Sequence, residues 1–144
     1  MVANSYPSPW KLVQTADPEA KHALSPYVLS TWRRNARSCG LKHDKNRASR
    51  LLLSDTSTLW YVEDHEYPDV CVGWLLATPL KTRPILHYVY VRDGMRNRGV
   101  GQLLMLACGI SEGETLYTTV VGRLPTPMRT WYQNVVSIEA KEIV

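Results

Sequence analysis

Long apolar runs are missing from this 144-residue chain. No stretch approaches the roughly 18 residues that a membrane-spanning helix requires, so no membrane span is expected. Internal repeats and low-complexity tracts are also lacking. The first residues, Met1-Val2-Ala3-Asn4-Ser5-Tyr6-Pro7, carry no charged region followed by an apolar one, so a secretory signal is not expected and a cytoplasmic location is. Cysteine is scarce: Cys39, Cys71 and Cys108 are widely separated, with neither a Cys-x-x-Cys nor a metal-knuckle spacing. The apolar neighbours of Cys71 and Cys108 predict free, buried thiols. His22, His43, His65 and His87 show no ligand spacing, and no metal is expected.

A hydrophobic content of 44% and a charged content of 21% are those of an ordinary globular protein. The length suits one domain, 1–144, with a core that needs no staples. The net charge of +4 is unevenly placed. Arg33, Arg34, Arg37, Lys42, Lys45, Arg47 and Arg50 lie close together and are opposed only by Asp44, whereas Glu63, Asp64, Glu66 and Asp69 share one later turn. A solvated helix face accounts for the basic run, as do a nucleic-acid or acidic-protein surface and attraction of a polyanionic ligand. The acidic group reads as a solvated loop.

Along the chain, Trp10–Gln14 is a strand candidate, and Asp17-Pro18 reads as the cap and first residue of a helix. That helix is expected to break near Pro26, resume to about Arg37, and stop at Ser38-Cys39-Gly40. Lys45–Leu53 is a second helix. Thr58–Glu63 and Val70–Thr78 form an antiparallel hairpin, and Ile85–Val91 a further strand. Thr115–Val121 is another strand. Thr126 and Pro127 are placed to cap a short helix through Trp131 and Tyr132, and Val135–Val144 closes the chain as one or two strands.

The richest stretch is Val89-Tyr90-Val91-Arg92-Asp93-Gly94-Met95-Arg96-Asn97-Arg98-Gly99-Val100-Gly101, followed by the apolar run Gln102 to Cys108. A strand passes through a polar turn into Arg-x-x-Gly-x-Gly and then a helix. The first N–H groups of a helix have no intrahelical partner, and the helix dipole adds positive character there, so a phosphate is favoured. Gly99 and Gly101 let an anion approach the backbone. Arg96 and Arg98 add cationic donors. A dinucleotide fingerprint would need a third glycine and a later acidic residue, and a nucleotide-hydrolase phosphate loop would need Gly-Lys-Ser/Thr. Neither is present.

Arg96-Asn97-Arg98-Gly99-Val100-Gly101, opening a helix after a strand that ends in Val91, resembles the central motif of the GNAT superfamily of N-acetyltransferases. The close match covers about 25 residues, and the order of elements agrees over most of the chain. The resemblance implies an α/β (α+β) fold: a mixed, mostly antiparallel central sheet flanked by helices, with a V-shaped splay at the strand that holds acetyl-CoA. It implies that backbone groups of Val89, Tyr90 and Val91 pair with the pantetheine arm, one N–H polarising the acetyl carbonyl. Backbone N–H groups of Arg96, Asn97, Arg98, Gly99, Val100 and Gly101 would bind the pyrophosphate. Arg92 and Arg98 could reach phosphates from the rim.

Strand alternation puts Ile85, His87, Val89 and Val91 on one face and Leu86, Tyr88 and Tyr90 on the other. In the serotonin N-acetyltransferase branch a histidine at the spacing of His87 relays the amine's proton, and Tyr132 stands where the family has a tyrosine that protonates the departing thiolate. The family's following Gly-Phe is absent: here Tyr132 leads into Gln133-Asn134-Val135. The reading is an N-acetyltransferase that moves acetyl from acetyl-CoA to a primary amine of a small molecule or protein. Two alternatives stand beside it. One is a catalytically reduced GNAT-fold protein used for binding or assembly, like compact bacteriophage-encoded members, in the host cytoplasm or the virion. The other is an acetyltransferase acting on nucleic acid or tRNA. A homodimer or larger assembly is compatible with each.

Overall fold

The computed structural model of the protein describes residues 10–67, 70–80, 83–96, 98–111, 113–120 and 134–138. Six strands of the described residues form one sheet in chain order: β1 Trp10–Thr15, β2 Thr58–Asp64, β3 Cys71–Pro79, β4 Pro84–Val91, β5 Thr115–Thr118 and β6 Asn134–Ser137. The first three pairings are antiparallel, and β4 with β5 and β5 with β6 are parallel. Helices α1 Pro18–Ser38 and α2 Lys45–Leu53 follow β1, and α3 Val100–Ala107 crosses from β4 to β5.

Two cores lie on the two faces of the sheet. On one, α3 packs Val100, Leu104 and Met105 against Val62, Val72, Leu75 and Leu86. On the other, Val28, Trp32 and Ala36 of α1 and Ala48, Leu51 and Leu52 of α2 cover Leu59, Trp74, Leu76 and Tyr88. Trp32 stacks on Tyr88 with ring centroids 5.3 Å apart, and the Trp74 indole N–H donates to Thr31 Oγ1 at 2.9 Å. Lys21, fully buried, fastens α1 to the connection between α2 and β2: its ammonium donates to the carbonyls of Ser54 and Ser57 at 2.6 and 2.9 Å.

α1 begins as its residues require, with Asp17 Oδ2 accepting from the Ala20 amide at 3.2 Å and Pro18 in the first turn. It does not break at Pro26. A proline removes the N–H that would bond the carbonyl four residues earlier. Here that carbonyl is His22's, and the Ser25 hydroxyl donates to it at 2.8 Å, so the helix runs on to Ser38. Gly40, at φ +72°, then ends it, with the Leu41 amide reaching back to the Ala36 carbonyl.

The simple alternation expected for β4 also fails, at one point. The β3–β4 register shifts between Leu76, opposite Tyr88, and Ala77, opposite Leu86, which leaves His87 as the extra residue of a bulge. Leu86 therefore joins the α3 core beside Val89 and Val91, while Tyr88 and Tyr90 pack toward α1 and α2. The expected helix through Trp131 and Tyr132 and the strand beyond Ile138 lie outside the described residues. Cys39, Cys71 and Cys108 are free thiols; Cys108 is buried as expected, whereas Cys71 is only half-buried.

Candidate functional site

β4 and β5 run together for two register positions only, Ile85 opposite Tyr117 and Leu86 opposite Thr118. The last main-chain group of β4 to fasten this segment is the Leu86 carbonyl, which accepts from the Thr119 amide at 2.9 Å and the Thr118 hydroxyl at 2.8 Å. From His87 onward the two strands have no shared register. The Arg92 amide donates to the Val72 carbonyl across the β3 side. In an antiparallel ladder the peptide groups alternate in direction, so those of Val89 and Val91 turn away from β3, toward the side that β5 has left. Among the described residues no strand pairs with this edge beyond Leu86. The edge is suited to an extended, hydrogen-bonding ligand.

The turn after β4 leads from that edge to α3. The Met95 amide closes it on the Arg92 carbonyl at 3.0 Å, with Gly94 at φ +87°. Gly99 is the residue before α3 and holds φ +82°, a left-handed conformation that most side chains oppose, with no atom within 4 Å of where a Cβ would sit. The three helices of the described residues begin differently. Asp17 caps α1 and Asp44 caps α2, whereas α3 has neither a capping side chain nor an acidic residue in its first turn. Its first backbone bond runs from the Leu103 amide to the Gly99 carbonyl, so the amides of Val100, Gly101 and Gln102 precede the ladder. Uncapped donors beside an open glycine favour an anion.

The helix start sits close over the sheet because of a residue that local sequence patterns did not mark. A Cβ on Gly73 of β3 would meet the Tyr90 carbonyl oxygen at 2.8 Å and Val100 Cγ1 at 3.0 Å. Only glycine admits this approach. Gly101 rests against β4 in turn, with room for a Cβ at 3.5 Å from Val91 Cγ2.

The expected site residues fall into separate places. Val89, Tyr90 and Val91 are half-buried along the open edge, and Arg96, Arg98 and Gly99 are exposed in the turn. Arg96 is not a free cation: Nε donates to the Val91 carbonyl and Nη2 to Asn35 Oδ1 of α1. Arg92 and Arg98 are exposed on the rim. Asn97 and Tyr132 lie outside the described residues.

His87 lies at the point where the strands part, and it is 1% exposed. Nε2 is 2.8 Å from the Thr78 hydroxyl and Nδ1 is 2.8 Å from the Thr119 hydroxyl. A neutral imidazole offers one donor and one acceptor, so both nitrogens are satisfied without a charge. Burial, reinforced by the positive Arg47, lowers the ring's pKa to about 3. Arg47 also donates to the Thr119 carbonyl. This network of Arg47, Thr78, His87 and Thr119 closes the base of the split, and the threonines carry no short-range sequence signal that would have revealed it.

No protein-family profile and no curated protein matches the chain. Solved structures do. An aminoglycoside acetyltransferase from an uncultured soil metagenomic sample, in complex with sisomicin, is 14% identical and aligns over 90% of this chain and 77% of its own, with a TM-score of 0.47. A ribosomal-protein-alanine N-acetyltransferase from Brucella melitensis is 13% identical over 90% of this chain and 80% of its own, at 0.47. The fungal multidomain β-N-acetylglucosaminidase that contains a GCN5-related glucosamine N-acetyltransferase region is 15% identical over 72% of this chain and 12% of its own, at 0.51. At these identities the likeness concerns architecture, and the six-stranded mixed sheet, with α1 and α2 on one face and α3 on the other, has the GNAT fold.

Proposed function

We propose that this protein transfers an acetyl group from acetyl-CoA to a primary amine. The observation that carries the reading is the juxtaposition of an open strand edge at Val89 and Val91 with the uncapped start of α3 at Gly99 to Gly101. An extended pantetheine arm complements the first and a pyrophosphate complements the second. Acetyl-CoA, when bound, supplies an activated thioester; the chain's task is to hold and polarise it.

In this reading the outward N–H groups of Val89 and Val91 include the donor to the acetyl oxygen. The backbone amides of Arg96, Asn97, Arg98, Gly99, Val100 and Gly101 hold the pyrophosphate, and the side chains of Arg92 and Arg98 approach it from the rim. Tyr90 separates these two donors along the edge: by the same alternation its peptide turns toward β3, and its ring packs 6.0 Å from that of Trp74. The amine nitrogen attacks the thioester carbon, the carbon–sulfur bond breaks, and the thiolate takes a proton from Tyr132. His87 has no unoccupied nitrogen to accept the amine's proton directly. We assign it instead a positioning role, holding Thr119 where β5 leaves β4, while the amine reacts in its neutral form and loses its extra proton to water, and solvent returns a proton to the Tyr132 phenolate.

Calorimetric titration tests the reading. Binding of acetyl-CoA and coenzyme A but not ATP, followed by amine-dependent release of free thiol in an acceptor screen, is the expected result. Failure of both coenzymes to bind overturns it.

A further inference from the structure

We infer that Arg33, Arg34 and Arg37 form a docking surface for the phosphate backbone of a nucleic-acid strand. The buried stripe of α1 contains Val28, Thr31, Trp32 and Ala36. At 3.6 residues per turn, Ser30, Arg33, Arg34 and Arg37 share the opposite side of the helix. All four are exposed, and together they line an open recess of about 390 Å³. Arg33 and Arg37 stand one helical turn apart, roughly 6 Å along the axis.

Among the described residues these guanidinium groups take no hydrogen-bonding partner, in contrast to Arg47, Arg83 and Arg96. Acidic residues are also sparse in this part of the sequence. Asp44 is the only acidic residue between Glu19 and Asp55, and its Oδ1 is occupied by the amides of Asn46 and Arg47 at 3.0 and 3.2 Å. Lys42, Lys45 and Arg50 are exposed and extend the positive field around the helix end. Three like charges within five residues of one helix repel one another, and an external anion relieves that repulsion.

The kind of anion follows from what surrounds the arginines. A protein–protein interface is anchored by buried apolar and aromatic side chains. The exposed large apolar side chains of the described residues include Leu12 and Leu53, and none lies between these two. The surface from Ser30 to Arg50 therefore offers charge and planar hydrogen-bond forks without an apolar anchor. Phosphodiester binding needs only those forks, because it is driven by phosphate contacts and counterion release. The surface also faces away from the coenzyme edge: Asn35, on the sheet side of α1, is the residue that reaches Tyr88 and Arg96.

The experiment is fluorescence anisotropy of a labelled single-stranded RNA oligonucleotide titrated with the full chain at increasing salt, beside the triple variant Arg33→Gln, Arg34→Gln, Arg37→Gln. The arginines are outside both cores, so the variant is expected to give the wild-type circular dichroism spectrum. It should bind at least tenfold more weakly at low salt, and its log–log salt slope should be shallower by about 2, as three lost contacts at roughly 0.7 each require. Absence of RNA binding by the wild type at low salt overturns the inference. So does an unchanged affinity in the folded variant, or equally tight binding of a poly-glutamate peptide of matched charge.

Discussion

Arg96 and Asn35 meet at 2.9 Å, guanidinium Nη2 to amide oxygen, and the same guanidinium donates from Nε to the Val91 carbonyl at 3.1 Å. Asn35 donates in turn from Nδ2 to the Tyr88 hydroxyl at 2.6 Å. One continuous chain of hydrogen bonds thus joins the turn after β4 to α1 and back to β4. It holds the turn in the shape that presents its amides.

Asn35→Ala removes the far anchor of Arg96 and leaves its guanidinium with the Val91 carbonyl alone. A hydrogen bond to a charged group contributes about 1.5–3 kcal/mol, reduced here toward about 1 by exposure. If the lost order is restored only on coenzyme binding, the affinity for acetyl-CoA falls about fivefold, since each 1.4 kcal/mol is a factor of ten. Calorimetry on the variant reads this directly. An unchanged dissociation constant would detach the Asn35 bond from the proposed site.

Gly73 and Gly101 give opposite expectations for the same chemical change. A methyl at position 73 meets backbone at 2.8 Å and the first residue of α3 at 3.0 Å. Overpacking of this kind costs about 1–3 kcal/mol, and it would lift the start of α3 from the sheet. At position 101 the nearest atom is an ordinary 3.5 Å away and the residue is helical, so Gly101→Ala is expected to stabilise the fold by about 0.5–1 kcal/mol. Urea midpoints of the two variants should move in opposite directions. A shift of equal sign would sink the account of how α3 is seated.

Gly99 separates conformation from charge. Its φ of +82° costs an ordinary L-residue about 1–2 kcal/mol, and asparagine less. Gly99→Asn is expected to fold and to retain part of the coenzyme affinity. Gly99→Glu adds a negative charge beside the uncapped amides of α3 and should abolish coenzyme binding. Equal affinity in the two variants would move the anion site elsewhere.

The parts of this fold that depend on neighbouring residues were legible. Asp17-Pro18 announced α1, the hairpin partners and β4 followed from their apolar runs, and the Gly99 to Gly101 turn marked the start of α3. The departures arose from relations between distant residues. Pro26 sits inside α1 because one serine hydroxyl replaces the missing donor, a side-chain geometry that residue spacing does not express. The bulge at His87 comes from pairing with Leu76 and Ala77 on another strand, so alternation read along β4 alone places Leu86 on the wrong face. Gly73 looks like any strand glycine until α3 is laid over it, and Asn35 has no sequence tie to Arg96, 61 residues away. The positions that shape the site were the least visible because their partners are nonlocal.

His87 links stability to pH with a definite sign. Its pKa in the fold is about 3, against about 6.5 in an unfolded chain. Between those values the unfolded chain binds a proton that the folded ring refuses, so the stabilisation is complete above pH 6.5 and declines as the pH falls toward 3. From pH 7 to 5 the loss assigned to this ring is about 2 kcal/mol. His43, whose pKa is also lowered, first by burial and then by Arg33, contributes in the same direction. The comparison with His87→Gln isolates the one ring: the variant is less stable at neutral pH, and its stability falls less between pH 7 and 5. Denaturant midpoints at the two pH values supply the test, and equal slopes would remove His87 as the source. Catalysis gives an independent reading of the same group. With its nitrogens held by Thr78 and Thr119, His87 should leave no inflection near pH 6.5 in kcat/KM, which instead follows the titration of the acceptor amine. An inflection near 6.5 that disappears in His87→Gln would make the ring the base and overturn its positioning role.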